Sequence, residues 1–444
     1  MTLRILGLAT LVVAAVASAA TAPTFSRDVL PILQSRCQSC HRQGEIGPMS
    51  LLSYAEVRPW AATIRQAVLS GQMPPWHSDT PNQKFHNDPS LTVEQKKTIA
   101  DWASNGAPEG NPKDARPNPV FTTGWNIGEP DLVVKPAKPF GVPATGTVEY
   151  TYYIVPKAFE QDTWVIASEF RSTNRSVMHH GVAFVRPPSS KWLRNYPAGK
   201  YFVPVEQTEI PGAAHPSATT NAGATAVDIN IAGYVPGRVA APKPEGHGTL
   251  VPAGSDLVFQ LHYTPKGQTA SDLPSVGFRF SKAKPEKQIL SLLAVDDTFA
   301  IPPGAANYPV HGVSKLGVDA DLYSVYPHMH LRGKSMLLKA TYPDGRTEIL
   351  LNVPRYDFNW QLEYDFDEPK HLPAGTVLES FATFDNSPNN KWNPAPEKEV
   401  RWGDQSGSEM MIGYFRLSVA AGLDKKLLSA PRSAPMLSTA EAKR

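Results

Sequence analysis

Proline fills 43 of the 444 positions, and glycine fills 31 more. Proline has no backbone N–H and a fixed φ, so it interrupts helices and the interiors of sheets. A chain with proline at nearly every tenth position is built from short elements joined by turns. Alternating runs of this kind fill the chain from Asp131 to about Ser418: Val148–Val155, Thr163–Phe170, Gly181–Val185, Leu257–Tyr263, Leu290–Val295, Leu337–Tyr342, Thr376–Phe384 and Met410–Leu417. Turn residues separate them at fairly even spacing, which predicts antiparallel β-sandwiches of the jelly-roll kind. The stretch is large for one sandwich and suits two. The Pro-rich segment Ala300–Ala305 predicts the boundary, giving domains over 131–298 and 299–423, with a partly ordered tail over 424–444.

Residues 24–106 read differently. Ser53 and Glu56 form a capping box ahead of Val57, Trp60, Ile64, Ala67 and Val68, which share one helix face. Thr92 and Gln95 form a second box ahead of Ile99, Ala100 and Ala103. Gly71 and Gly106 stop these patterns, and a further helix is expected over Arg27–Ser35. Residues 107–130 hold five prolines, from Pro108 to Pro130, and read as a linker.

Lys and Arg total 43 against 41 for Asp and Glu, a net charge of +2, so no electrostatic footprint for nucleic acid is present. Arg4, the apolar run Ile5–Val16 and Ala17-Ser18-Ala19 have the layout of a cleaved secretory signal over residues 1–20. Export to the periplasm is expected, with no membrane span in the mature chain.

The two cysteines stand in Cys37-Gln38-Ser39-Cys40-His41. C-x-x-C-H is a haem c attachment motif: two thiols take the porphyrin vinyl groups and the next imidazole takes the iron. A redox dithiol and part of a zinc site are the competing readings, but zinc would want further thiolates that the chain lacks. The sixth iron ligand is expected from Met73, in the Pro-held stretch Gly71–Trp76; Met49, His77 and His86 are alternatives. On this motif, residues 24–110 resemble a class I-type cytochrome c. The expected fold class is multidomain, a small all-α cytochrome c-like domain (24–106) followed by two all-β antiparallel sandwich domains.

The β region carries Met178-His179-His180, Gln260-Leu261-His262-Tyr263, Pro327-His328-Met329-His330 and Glu409-Met410-Met411. Neighbouring strand residues point to opposite faces, so His179 and His180 need a bend to share an ion, whereas His328 and His330 share a face. Imidazoles with a thioether suit copper, and a three-histidine site could also hold zinc.

These motifs, in this order, resemble the copper type II, ascorbate-dependent monooxygenases, the family of peptidylglycine α-hydroxylating and dopamine β-monooxygenases. The resemblance covers about Trp125 to Leu417, and includes His328-Met329-His330-Leu331-Arg332-Gly333-Lys334. It implies an electron-transfer copper on His179, His180 and His262, and a catalytic, oxygen-binding copper on His328, His330 and Met410. Met411 would then pack in the core. The activity implied is hydroxylation of a C–H bond of an unknown organic substrate with O2, its electrons coming from a periplasmic donor through the covalent haem c. The alternative is a non-catalytic haem and copper electron carrier. The animal enzymes are disulfide-rich and lack the N-terminal haem segment, so their substrates do not carry over. His215, His247, His311 and His371 read as solvated loop residues, Trp360 and Trp392 as packing residues, and Asp385–Asn390 as a turn-rich loop.

Overall fold

The computed structural model describes residues 22–205, 229–236 and 238–430. The expected leader 1–20, His215 and the tail beyond 430 lie outside the described residues. The chain is mostly β, about 36% strand and 12% helix. Among the described residues, no helix is long and apolar enough to cross a membrane.

The short helices Leu30–Arg36, Tyr54–Val57, Ala61–Leu69 and Val93–Ser104 all lie near the N-terminus. Thr92 and Gln95 satisfy each other's backbone N–H groups reciprocally at the last of them. Gly71 and Gly106 take positive φ just past two helix ends. The helix expected to run on through Trp60 is broken by a 3₁₀ turn, Arg58–Trp60, with Pro59 inside it. Leu33, Val57, Ile64, Val68, Ile99 and Trp102 bury one another.

These helices do not amount to the expected all-α cytochrome c-like domain, and that expectation is corrected. No helix forms over residues 70–92. Instead Trp76 and Phe85 join the apolar core of a β-sandwich. Phe85 bridges to Phe366, and the backbone N–H groups of Asp79 and His86 donate to Asn352 and Asp365 carbonyls at 2.8 and 3.0 Å. Pro74, Pro75, Pro81 and Pro89 explain the difference. They keep the stretch extended, as the sequence predicts, but the two large aromatic rings find their apolar surroundings in the neighbouring β core instead of among the helices.

Two sandwiches make up the rest. In the first, a five-stranded sheet runs in the order Tyr201–Phe202, Thr151–Val155, Asp256–Tyr263, Met178–Arg186, Ile229–Tyr234. In the second, a four-stranded sheet runs Tyr308–Lys315, Val377–Phe384, Gly333–Thr341, Thr347–Val353. One eight-stranded sheet backs both: Leu132–Val134, Ser275–Phe280, Thr163–Arg171, His247–Val251, Lys287–Val295, Met411–Ala420, Ala320–Met329, Tyr364–Leu372. Its halves join through a short parallel pairing of Lys287 with His247 and Gln288 with Gly248. Lys287–Val295 was expected in the first domain, yet it pairs along its length with Met411–Ala420 of the second. The two units therefore meet before Lys287 rather than at 298/299.

Each sandwich has its own core, with Val165, Phe259, Leu261 and Phe278 central to the first and Leu322, Leu338, Phe384 and Phe415 to the second. Cys37 and Cys40 are unbridged, so burial of such side chains, about 1.5–3 kcal/mol each, carries stability without a cross-link.

Candidate metal centre

The strand Asp256–Tyr263 turns Leu257, Phe259, Leu261 and Tyr263 into the first core. Strict alternation leaves Val258, Gln260 and His262 on the outer face. The neighbouring strand pairs Met178 with Tyr263 and His180 with His262. One step on one strand thus matches two on the other, a β-bulge at His179. The bulge supplies the bend that a His-His pair needs. Met178 stays in the core, while His179, His180 and His262 bring candidate ligand nitrogens within 4.8 Å of one another.

Hydrogen bonds fix which nitrogens converge. His179 Nε2 lies 3.3 Å from Asn359 Oδ1, which only accepts, so Nε2 carries the proton and Nδ1 the lone pair. His179 Nδ1 and His180 Nδ1 are 3.0 Å apart. His262 Nδ1 is buried and has no hydrogen-bond partner. Metal–imidazole bonds are about 2.0–2.1 Å, so two ligand nitrogens on one ion lie about 3 Å apart. Burial, reinforced by neighbouring imidazoles, holds His180 and His262 well below the usual histidine range, and they stay neutral with lone pairs available.

The second set stands on the outer face of the other unit. His328 pairs across the ladder with Ile412, and Met329 with Met411. The paired stretch ends there; His330 follows His328 by two and alternation puts it on the same face, while Met410 immediately precedes Met411 on the partner strand. Met329 and Met411 go to the core, where Met411 Sδ accepts from Ser380 Oγ at 3.4 Å. His328 Nδ1 donates to Gln361 Oε1 at 2.7 Å, and His330 Nδ1 to the Ser408 carbonyl at 3.2 Å. Each keeps its Nε2 lone pair, and His330 Nε2 is buried without a partner. Burial pushes His328 down to about 4 and His330 to about 3. The first set thus converges through Nδ1, and the second presents Nε2.

Glu409 is fully buried and accepts from the backbone N–H groups of His330 and Arg332 at 2.8 and 2.5 Å. Burial pushes its carboxyl up to about 8, against those two hydrogen bonds. Arg332 is buried too, donating to Asn386 Oδ1 and the Gly407 carbonyl, each at 2.9 Å. Glu409, Arg332 and Asn386 therefore lock the turn after His330, and Asn386, in the turn-rich loop 385–390, belongs to a buried polar network.

The sequence leads to two separate nests. The structure keeps the sets on different units but brings both against the same two rings. The Tyr150 ring lies 4.7 Å from His262, 5.2 Å from His180 and 6.0 Å from His330. Phe358 stacks on His179 at 5.5 Å and meets His330 at 6.1 Å. Gln405 of the second unit accepts from the Tyr150 N–H at 2.8 Å. Tyr150, Phe358, Asn359, Gln361 and Gln405 were not found from sequence. They sit in loops that return through the fold, and no local spacing marks them.

Beyond His328, the same face continues through the Tyr326–Tyr414 pair to Ser324 and Arg416. With Asn230, Ser291 and Glu363 they line a small cleft of about 20 Å³, room for about one water. Glu363 there accepts from Ser324 Oγ at 2.5 Å and pairs with Arg416 at 3.1 Å and with Arg238.

In the Cys37–His41 segment, His41 Nδ1 faces the Met49 carbonyl at 3.3 Å, leaving Nε2 for a metal. A Cβ on Gly47 would come within 2.8 Å of that Nδ1, so the loop closes tightly on the imidazole. Burial, with Cys40 alongside, pushes the Cys37 thiol up to about 12, and burial also raises Cys40. A redox dithiol needs a lowered thiol pKa, so this setting does not suit dithiol exchange. Met49 and Cys37 each pack against the helical apolar cluster. Met73 instead donates its N–H to the Ala67 carbonyl, and His77 and His86 lie on the stretch that crosses to the second sandwich. Away from the centre, His247 bonds Ser418, His311 pairs with Glu379 and His371 with Asp321.

No known family's sequence profile matches the chain, and no curated protein matches it. Among solved structures, that of the Gx strain of infectious bursal disease virus covers 69% of this chain and 78% of its own, at 11% identity and a TM-score of 0.18. The VP2 subviral particle of the same virus covers 70% and 76%, at 10% identity and a TM-score of 0.19. At such scores no common fold follows.

Proposed function

We propose that this chain is a periplasmic copper-dependent monooxygenase that receives its electrons through a haem attached at Cys37 and Cys40. One observation carries the reading: two sets of neutral, buried or half-buried imidazoles, offering opposite ring nitrogens, face each other across Tyr150 and Phe358, and His262 Nδ1 and His330 Nε2 have no other partner. Buried polar nitrogens are rarely left without partners, so orphans in both sets fit bound ions.

His179, His180 and His262 would hold one copper, His328, His330 and Met410 the other, and His41 the haem iron. Bound copper and haem would supply one-electron chemistry and the reaction with O2. The protein's own part is positional. Asn359, Gln361 and the Ser408 carbonyl each take an imidazole proton and turn the other nitrogen toward the ion. Glu409 holds the backbone turn of His330, and Tyr150 and Phe358 keep water from the space between the sets.

A second reading, a non-catalytic haem and copper electron carrier, is favoured by how closed the centre is: His330 is only 1% exposed. Metal and haem analysis of copper-replete protein, followed by reductant-dependent O2 uptake across a panel of organic substrates, decides between them. Two coppers, one haem and substrate-stimulated uptake are expected. Uptake indifferent to every substrate leaves the carrier, and zinc in place of copper sinks both. The haem arm is tested with Cys37→Ser and Cys40→Ser together, since deleting the segment would strip Trp76 and Phe85 from the second core.

A further inference from the structure

The loop after the C-x-x-C-H motif is docked rather than free on a tether. Glu45, four residues past His41, pairs with Arg42 at 2.8 Å and with Arg175 at 2.5 Å. Arg175 stands just before Met178, where the strand bearing His179 and His180 begins. Its guanidinium lies over the Tyr234 ring, 5.7 Å from the centroid. Tyr234 in turn pairs across the ladder with Gly181, the residue after His180. Cys40 is close enough to Tyr234 to add to the rise that burial imposes on its phenol. The Glu45 and Arg175 side chains keep only 11% and 20% exposure, so this pair is shielded from water and salt more than an ordinary surface pair.

We infer that Glu45, Arg175 and Tyr234 are positioning residues that hold the haem-attachment loop against the strand of the His179/His180/His262 centre, making that centre, and not the His328/His330 set, the point of electron entry. The inference rests on the proposed function, which supplies the haem and the redox ion. The step is a single electron: one lost at the group on Cys37 and Cys40, one gained at the ion held by the three histidines, with no bond broken and no proton moved. A docked loop replaces the effective concentration of a flexible linker with one fixed approach.

The test uses the full-length haem- and metal-loaded protein with Glu45→Arg, Arg175→Glu and the double charge swap, and Glu45→Gln should Glu45→Arg not fold. Anaerobic stopped-flow absorbance, without substrate, follows loss of the reduced-haem band as the electron moves on. Each single variant should slow that phase at least tenfold, and the swap should bring it back to within about threefold of the parent, with copper content unchanged. Denaturant melts of the same set in the metal-free chain form a double-mutant cycle, and a clearly non-zero coupling between positions 45 and 175 is expected. Single variants that transfer at the parent rate, or a swap without rescue, overturn the inference. Zero coupling in a protein that does carry haem and copper overturns the docking alone. A parent protein that takes up neither cofactor overturns the proposed function and electron entry with it, while the melts still judge the contact.

Discussion

His180 and His262 stand directly opposite each other on neighbouring antiparallel strands, ring centroids 5.0 Å apart, and His179 joins them only through the bulge beside them. The position of His262 is shared by metal binding and by metal-free stability, with opposite signs. Without an ion, its buried and unpartnered Nδ1 is a desolvation cost of about 1–3 kcal/mol. His262→Leu should therefore leave the metal-free chain as stable as the parent or more so. In copper-loaded protein it should lower the copper content from two to one and lose only that part of the metal-dependent rise in melting temperature which the first centre supplies. Loss of both coppers would contradict two independent centres.

Met410 and Met411 are adjacent in sequence and opposite in consequence. Met411 is completely buried in the second core, so Met411→Ala should cost about 2–5 kcal/mol in a urea melt. Met410 is only partly buried, so Met410→Ala should cost about 1 kcal/mol or less. Its effect should instead appear in X-ray absorption of the reduced protein, as loss of the sulfur scatterer at copper. A sulfur signal that survives Met410→Ala and vanishes in a Met411 variant would reverse the assignment.

Strand alternation made much of this legible in sequence. His328 and His330 at a spacing of two had to share a face, and the core side of Leu257, Phe259 and Leu261 followed from the same period. The Thr92/Gln95 box marked a helix start because capping is a local interaction. The bulge at His179 was readable only as a need, since a bulge is a property of two strands and one strand's sequence does not place it. Pro74–Pro89 misled: prolines marked a loop, but loop residues can still be core residues of a distant element, as Trp76 and Phe85 are. The closeness of the two histidine sets was invisible because it depends on Tyr150 and Phe358, brought together across hundreds of residues by the two sheets.

Gln361 connects His328 to the cleft, accepting from His328 Nδ1 at 2.7 Å and from the Tyr326 hydroxyl at 2.9 Å. Removing the acceptor frees His328 to present either nitrogen. Gln361→Leu should weaken copper at the second set about 10–100-fold while sparing the first. Gln361→Glu, which keeps an acceptor, should retain most of that affinity. Competition with a Cu(I) chelator reads both, and equal losses from the two variants would mean that the hydrogen bond does not orient the ring.

Glu363 anchors the far end of the cleft, 7% exposed, between Arg238 and Arg416. Burial alone would raise its carboxyl, but the two guanidiniums and the Ser324 hydroxyl overcome that and hold it well below the usual carboxylate range. Its folded pKa is thus lower than its unfolded value of about 4.3, so the stability it contributes is present above that pH and is lost as the pH falls through the lower folded value. Breaking a buried pair costs about 3–5 kcal/mol, and because both arginines keep about a third of their exposure, about 2–3 kcal/mol is expected for Glu363→Gln at pH 7. Urea melts of parent and variant at pH 7 and near pH 3 should show that gap narrowing in acid, because between its unfolded and folded values the unfolded parent takes up a proton at Glu363 and the variant does not. A gap that stays constant between the two pH values would mean that the Glu363 charge does not stabilise the fold, and that its hydrogen bond to Ser324 accounts for the difference.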